Sequence, residues 1–239
     1  MSLNKKKSSI NSNLDSLNIF EKLNYYRKKY GLLHTLLSYL GRYNLKLWML
    51  IGSVVTKPYK QYYLANHHPK ILNLGGGGNC LEGCLTADIT PRADIYVDIT
   101  KKLPFDDNSI DCIFCEEAIE HIKLDNAIFL LKECHRILKQ GGFMRITTPN
   151  LDWFAENSIQ SVDYCHQINE IFYNHDHRYL YTTKALKYFV EQTGFVNIIQ
   201  SSYKDSNSQL GYLDSHADRF NHSPDISQYL EIQKPVKGL

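Results

Sequence analysis

The chain has 239 residues, 43% of them apolar and 22% charged, with 13 Gly and 7 Pro. That composition excludes a collagen-like or wholly disordered chain and fits one ordinary domain with an extension, large enough to fold without disulfides or a structural metal. The net charge of +2 conceals an asymmetry: residues 1–66 hold eleven Lys or Arg against two acids, a net of +9, while the remaining 16 basic and 23 acidic residues net −7.

Residues 1–13 are mostly Lys, Ser and Asn with little to bury, and are expected to form a disordered tail. No apolar core follows Lys5-Lys6-Lys7, so the N-terminus does not read as a secretory signal. Residues 14–57 read as helices. Leu33, Leu36, Leu37 and Leu40 fit the i, i+3, i+4, i+7 template, and Leu47, Leu50, Ile51 and Val54 repeat it. The charge-free run Leu47 to Thr56 is ten residues long, short of the ~20 that span a bilayer. A cytosolic protein is expected. The basic segment 14–66 is read first as a helical cap on an acidic domain. Its second reading is a peripheral helix on the inner, anionic face of a membrane. A nucleic-acid arm comes third, because no binding module is recognisable.

From His67-His68-Pro69 the texture changes. Lys70 to Leu74 is a buried strand running into four glycines, followed by Ile95–Asp98 and Ile110–Cys115. Asp125 is placed as the cap of a helix with Ala127, Leu130, Leu131, Cys134 and Leu138 on one face, closed by Gly141-Gly142. Phe143 to Thr148 is a strand. Thr183 starts a helix closed by Gly194, and residues 196–201 and 229–232 are late strands. Strands alternating with helices imply an α/β fold with a mostly parallel sheet.

Gly75-Gly76-Gly77-Gly78 directly follows the first strand, where glycine lets backbone approach a ligand. The dinucleotide fingerprint fails, since Cys80 holds the place of its last glycine and the nearest well-placed acid, Asp88, follows Gly75 by 13 residues. A loop without Lys or Arg suits a ligand without phosphates. Asp88 and Asp98 each end a short apolar run. On parallel strands both would lie at the carboxyl edge of the sheet, one to accept two ribose hydroxyls and the other an exocyclic amino group. Among the six cysteines, Cys112 and Cys115 lie three apart on a strand and face opposite ways, so zinc is not expected there.

These segments, with Leu103-Pro-Phe-Asp-Asp-Asn-Ser-Ile-Asp111, Leu138-Lys-Gln-Gly-Gly142 and His177-Arg-Tyr-Leu-Tyr-Thr-Thr183, resemble class I S-adenosylmethionine-dependent methyltransferases of the type 11 group over residues 70–235. The resemblance implies a Rossmann-like, doubly wound seven-stranded sheet with the last strand antiparallel, in a methyltransferase domain spanning 67–239. It implies S-adenosyl-L-methionine as cofactor. The Gly75, Gly76 and Gly77 backbone would pass under its methionine part, Asp88 would hold the ribose, and Asp98 with the Ile99 backbone would contact the adenine. Glu116 and Glu117 would stand where the methionine and substrate pockets meet. Asn73 replaces the acid that the group usually carries in its first strand, and Asn79 a frequent glycine.

Methyl transfer is a direct displacement that depends chiefly on alignment. A hydroxyl nucleophile gains from a general base; the candidates are His121, His175, His177 and Glu117, in the order His177, then His121, then no base at all. His175-Asp176-His177 invites a metal, but no third ligand is evident in the sequence and none is assigned. The expected acceptor is a small molecule, a sugar or lipid-linked glycan methylated on oxygen. A non-catalytic binding protein of the same fold and a nicotinamide-dependent oxidoreductase are the alternatives.

Overall fold

The computed structural model describes residues 18–158 and 164–236. The expected tail at 1–13 and the side chain of Cys165 lie outside the described residues. Among these, four helices come first: α1 (Ile19–Tyr30), α2 (Leu32–Tyr43), α3 (Leu45–Val55) and α4 (Lys57–Asn66). The α/β part follows as β1 (Ile71–Leu74), β2 (Cys84–Asp88), β3 (Ile95–Tyr96), β4 (Ile110–Glu116), α5 (Leu124–Ile137), β5 (Leu138–Pro149), α6 (Leu151–Ser158), α7 (Tyr164–Tyr173), α8 (Thr183–Glu191), β6 (Val196–Ser201), α9 (His216–Phe220) and β7 (Ser227–Gln233). The seven strands form one sheet in the order β3-β2-β1-β4-β5-β7-β6. β4 runs parallel to β1 and β5, whereas β7 is antiparallel to both of its neighbours. This is the Rossmann-like sheet that the resemblance implies.

Two compact units divide the chain, Met1–His67 with Gly77–Val97, and His68–Gly76 with Asp98–Leu239. β2 and β3 group with the four helices in the first unit. In the first unit Asp94 is fully buried. Its Oδ1 accepts from Lys29 Nζ at 2.9 Å and from the Tyr30 hydroxyl, and its Oδ2 accepts from Thr86 N at 2.9 Å. Trp48 packs edge-on against Tyr96, and Thr56 Oγ1 accepts from Tyr96 N at 3.1 Å.

The leucine stripes do not face that interior. Leu33, Leu36, Leu40, Leu47, Leu50 and Val54 are exposed, and the buried positions of α2 and α3 are His34, Thr35, Ser38, Gly41, Trp48 and Gly52. Close approach is the cause. A Cβ on Gly52 would stand 2.9 Å from the Tyr96 ring and one on Gly41 2.9 Å from that of Trp48, so glycine sits where the inner face comes closest and the leucines face outward.

In the second unit β1 is buried along its whole length, as expected of a strand covered on both faces. The apolar stripe of α5 is buried at Ala127, Leu130, Leu131, Cys134 and Ile137. Its start differs from expectation: Lys123 is the N-cap and makes no side-chain bond, while Asp125 sits in the first turn. Its end differs too. β5 begins at Leu138, and Gly141 lies within the strand at φ +75° rather than closing the helix. Glu133 Oε2 accepts from Leu103 N at 2.8 Å, and Arg136 donates to the carbonyls of Leu103 and Phe105. The Leu103-Pro-Phe segment is thus tied to α5.

Candidate active site

In the first unit, Asp88 ends β2. Its Oδ2 accepts from Gly77 N at 3.0 Å and its Oδ1 from Thr90 N at 2.9 Å. A carboxylate offers about four lone-pair positions, so these bonds orient the group and leave room for two further donors. Gly77 has φ +58°, a conformation that glycine adopts without strain.

In the second unit, Gly75 and Gly76 leave the end of β1. Gly75 has φ +73°, and a Cβ there would meet Ala118 Cβ at 2.4 Å. A Cβ on Gly76 would meet Asn73 Nδ2 at 2.3 Å. Only glycine fits this cradle, whose floor is Asn73. Asp98 lies beyond the ladder, since β3 stops at Tyr96 and does not reach 98 as the sequence suggested. Its Oδ1 accepts from Thr100 N and Oγ1, and its Oδ2 pairs with Lys101 at 3.1 Å. Burial alone would raise this carboxyl, but the Thr100 and Lys101 donors hold it below the usual range. Ile99 begins the turn between them.

Glu116 ends β4 and is committed to the chain. Its Oε1 accepts from Ser215 N and His216 N at 2.8 and 2.9 Å, and its Oε2 from Ser215 Oγ and Arg219 Nη2 at 2.9 and 3.0 Å. Those four donors fill its lone pairs and pin the start of α9. Glu117 follows in the left-handed region at φ +50° and accepts from Ser227 Oγ at 2.8 Å.

Beyond β4 the chain makes a 3₁₀ turn, Ile119–His121. Glu120 is fully buried, and its Oε2 accepts from Thr148 Oγ1 at 2.9 Å. Its backbone carbonyl accepts from Arg178 N at 2.7 Å and Tyr179 N at 3.1 Å. Those two bonds carry the loop before α8 to the turn and place the His177 ring 4.8 Å from that of His121. Ligand atoms of Glu120, His121 and His177 all lie within 4.8 Å of one another. His175 is 5.7 Å from His177, ring to ring. Burial, then the neighbouring His121 and His175, push His177 down to about 4. Burial raises the Glu117 and Glu120 carboxyls, each in reach of the other. The candidate bases thus meet, whereas Glu116 is held apart by its own partners.

Residues 85–146 match the family model described as "Methyltransferase domain". Over those residues the chain is similar to methyltransferase domains of the type 11 group. A Mycolicibacterium smegmatis protein described as a probable S-adenosylmethionine-dependent methyltransferase is 40% identical over 65 residues, 27% of this chain. The match spans only 24% of that relative's length. An Archaeoglobus fulgidus S-adenosylmethionine-dependent methyltransferase is similar at 14% identity, covering 91% of this chain and all of that one, with a TM-score of 0.48. A Haemonchus contortus phosphoethanolamine N-methyltransferase, solved with S-adenosylhomocysteine, is 15% identical, covering 92% of this chain and 58% of that one, with a TM-score of 0.47.

The cofactor of this domain class is S-adenosylmethionine, and the residues present fit it. The Gly75–Gly76 cradle is space that a side chain would fill, and Asp88 keeps acceptor positions for hydroxyl donors. The sequence reading did not single out Glu120, which stands with His121 and His177. The signal available was Glu117-Ala-Ile-Glu120-His121, which places two acids and a histidine within five residues. It also missed Tyr181, a buried side chain whose hydroxyl has no partner among the described residues.

Proposed function

We propose that the protein methylates an oxygen atom of a small hydroxylated acceptor, a sugar or lipid-linked glycan, using S-adenosylmethionine. The observation that supports oxygen as the acceptor atom is the grouping of Glu120, His121 and His177 beyond β4. A hydroxyl nucleophile must lose its proton as it is methylated, and this cluster supplies the acceptors. Bound S-adenosylmethionine supplies an electrophilic methyl carbon on a sulfonium. The protein's part is to bind, orient and accept a proton. Asp88 accepts from the ribose hydroxyls, the Gly75–Gly77 backbone admits the methionine part, and Asp98 with Ile99 contacts the adenine. Glu117 borders the methionine end, and Glu116 positions α9 through its four donors. A base works best with a pKa near the working pH. His177, pushed to about 4, is a weak one, so the proton goes to the more exposed His121.

Calorimetric titration with S-adenosylhomocysteine, with NAD as control, tests this reading. Binding of the first alone is expected. Binding of NAD alone would move the chain to the oxidoreductases.

A second reading concerns the helices, and the exposed stripe of Leu33, Leu36, Leu40, Leu47, Leu50 and Val54 supports it. It lies on a segment of net charge +9, a combination that suits the surface of an anionic bilayer. No helix of the described residues is long and apolar enough to cross a membrane. Co-sedimentation with phosphatidylglycerol vesicles, and none with phosphatidylcholine vesicles, is the expected result. Equal recovery with both would remove the electrostatic part of the reading.

A further inference from the structure

Glu120 is an expensive residue to keep. It is fully buried, and an ionised carboxylate without donors costs several kcal/mol in such a place. Thr148 satisfies Oε2, but Oε1 has no hydrogen-bond partner among the described residues. What stands near it is His121 Nε2 at 3.9 Å. On another side is the Glu117 carboxyl, in hydrogen-bonding reach of Glu120 and held also by Ser227 Oγ. His177 Nδ1 is likewise buried without a partner among the described residues. Two carboxyl groups and two imidazoles therefore converge, and among the described residues no Lys or Arg is paired with Glu120.

We propose that Glu120, His121 and His177 bind a divalent transition-series cation, with Glu117 beside it as a second carboxylate.

The donor set decides the class of ion. Imidazoles with one carboxylate suit Zn²⁺, Mn²⁺ and their neighbours, whereas Mg²⁺ and Ca²⁺ prefer oxygen throughout. Donor atoms bound at ~2.0–2.2 Å around a tetrahedral ion lie about 3.4 Å apart. The three present within 4.8 Å need side-chain shifts of at most about 1.4 Å to reach it. The supporting frame is already in place. Thr148 orients the Glu120 carboxylate, and the Glu120 carbonyl holds Arg178 N and Tyr179 N, which fixes the loop that carries His177. Three protein ligands leave open positions of the kind that catalytic sites keep.

Resting on the O-methylation reading above, the open positions take the hydroxyl oxygen of the acceptor. The cation polarises that oxygen and favours loss of its proton, which passes to the Glu117 carboxylate beside the site, because His121 and His177 as ligands no longer accept it. Specificity follows from the same chemistry, since an acceptor with two adjacent hydroxyls chelates the ion and one with a lone amine does not.

The test uses untagged full-length protein, freed of metal by a chelator. It is titrated with Mn²⁺ while electron paramagnetic resonance reads the free ion, and Zn²⁺ is then added as competitor. Wild type is expected to take up one Mn²⁺ per chain and to release it to Zn²⁺. Glu120→Gln, which keeps an acceptor for Thr148, and His121→Asn, at a position that is 44% exposed, are expected to weaken uptake by upward of ~10–100-fold, the loss seen even for outer partners of a metal. No uptake by wild type, or equal uptake by both variants, overturns the site. S-adenosylhomocysteine is titrated into the same samples. Metal uptake without cofactor binding would overturn the methyltransferase reading and leave the metal site standing, and cofactor binding without metal uptake would do the reverse.

Discussion

Single residues in this protein separate into those that hold the chain and those that remain available to a ligand. Asp88 does both. It takes two backbone N–H groups and keeps two acceptor positions. Asp88→Ala is expected to weaken S-adenosylhomocysteine binding by ~1.5–3 kcal/mol, the worth of hydrogen bonds to a charged acceptor. Asp88→Asn, which retains one acceptor oxygen, should lose less. Calorimetry on folded variants checks both, and unchanged affinity would remove Asp88 from the ribose. Glu116 is the contrasting case. Its place after a strand made it legible as a ligand contact, yet its donors come from Ser215, His216 and Arg219, about a hundred residues later. Nothing local in the sequence foretells that commitment. The meeting of His121 with His177 was hidden for the same reason, since it depends on two backbone bonds to the Glu120 carbonyl.

Whole elements were easier to read than their inner faces. Strands buried on both sides show as unbroken apolar runs, and β1 and β4 stand close to where those runs lie, while β6 is an edge strand left largely exposed. Glycine signals were less faithful, because Gly141 serves β5 from within rather than ending α5. The stripes of α2 and α3 misled most, since periodicity reports which residues share a face and not which way the face turns. At this scale Arg145 joins separate elements. From β5 it makes a paired contact with Asp214, Nε to Oδ1 at 2.8 Å and Nη2 to Oδ2 at 2.6 Å. It also reaches Ser201 Oγ at 2.7 Å, Ser202 O at 2.9 Å and, at 3.3 Å, Glu231 on β7. All three charged side chains are buried. Arg145→Met conserves most of the volume but leaves Asp214 unpaired in the interior. The expected loss is ~3–5 kcal/mol of stability, read as a lowered midpoint in urea with the slope unchanged. A midpoint equal to wild type would show that this network orients the segment after β6 without stabilising it.

For the molecule as a whole, acid response is a sum of opposing groups. The carboxyls of Glu117 and Glu120 are raised by burial, so the folded state holds protons there that the unfolded chain has released, and this adds stability as pH falls towards the ordinary glutamate value. Buried histidines act in the other sense. His34, on α2, is pushed down to about 4, first by burial and then by Lys29, with Asp94 opposing. His216 is pushed to about 3, by burial and then by His222 and Arg219. In the unfolded chain both titrate near 6.5. Below that value the unfolded state binds protons that the folded state refuses, so their contribution is whole above pH 6.5 and is lost progressively as pH falls to about 4. Because the two classes cancel in part, the wild-type profile alone does not isolate either. The difference between wild type and His34→Phe does. The ring of His34 lies 4.6 Å from that of Tyr30, a packing that phenylalanine can keep without gaining a proton. The melting temperature of the variant, measured against wild type, is expected to rise steadily between pH 6.5 and 4 and to be level above and below. Parallel curves across that range would mean that His34 finds a protonated form the folded protein accepts, with Asp94 in the first unit as the group that pays its charge.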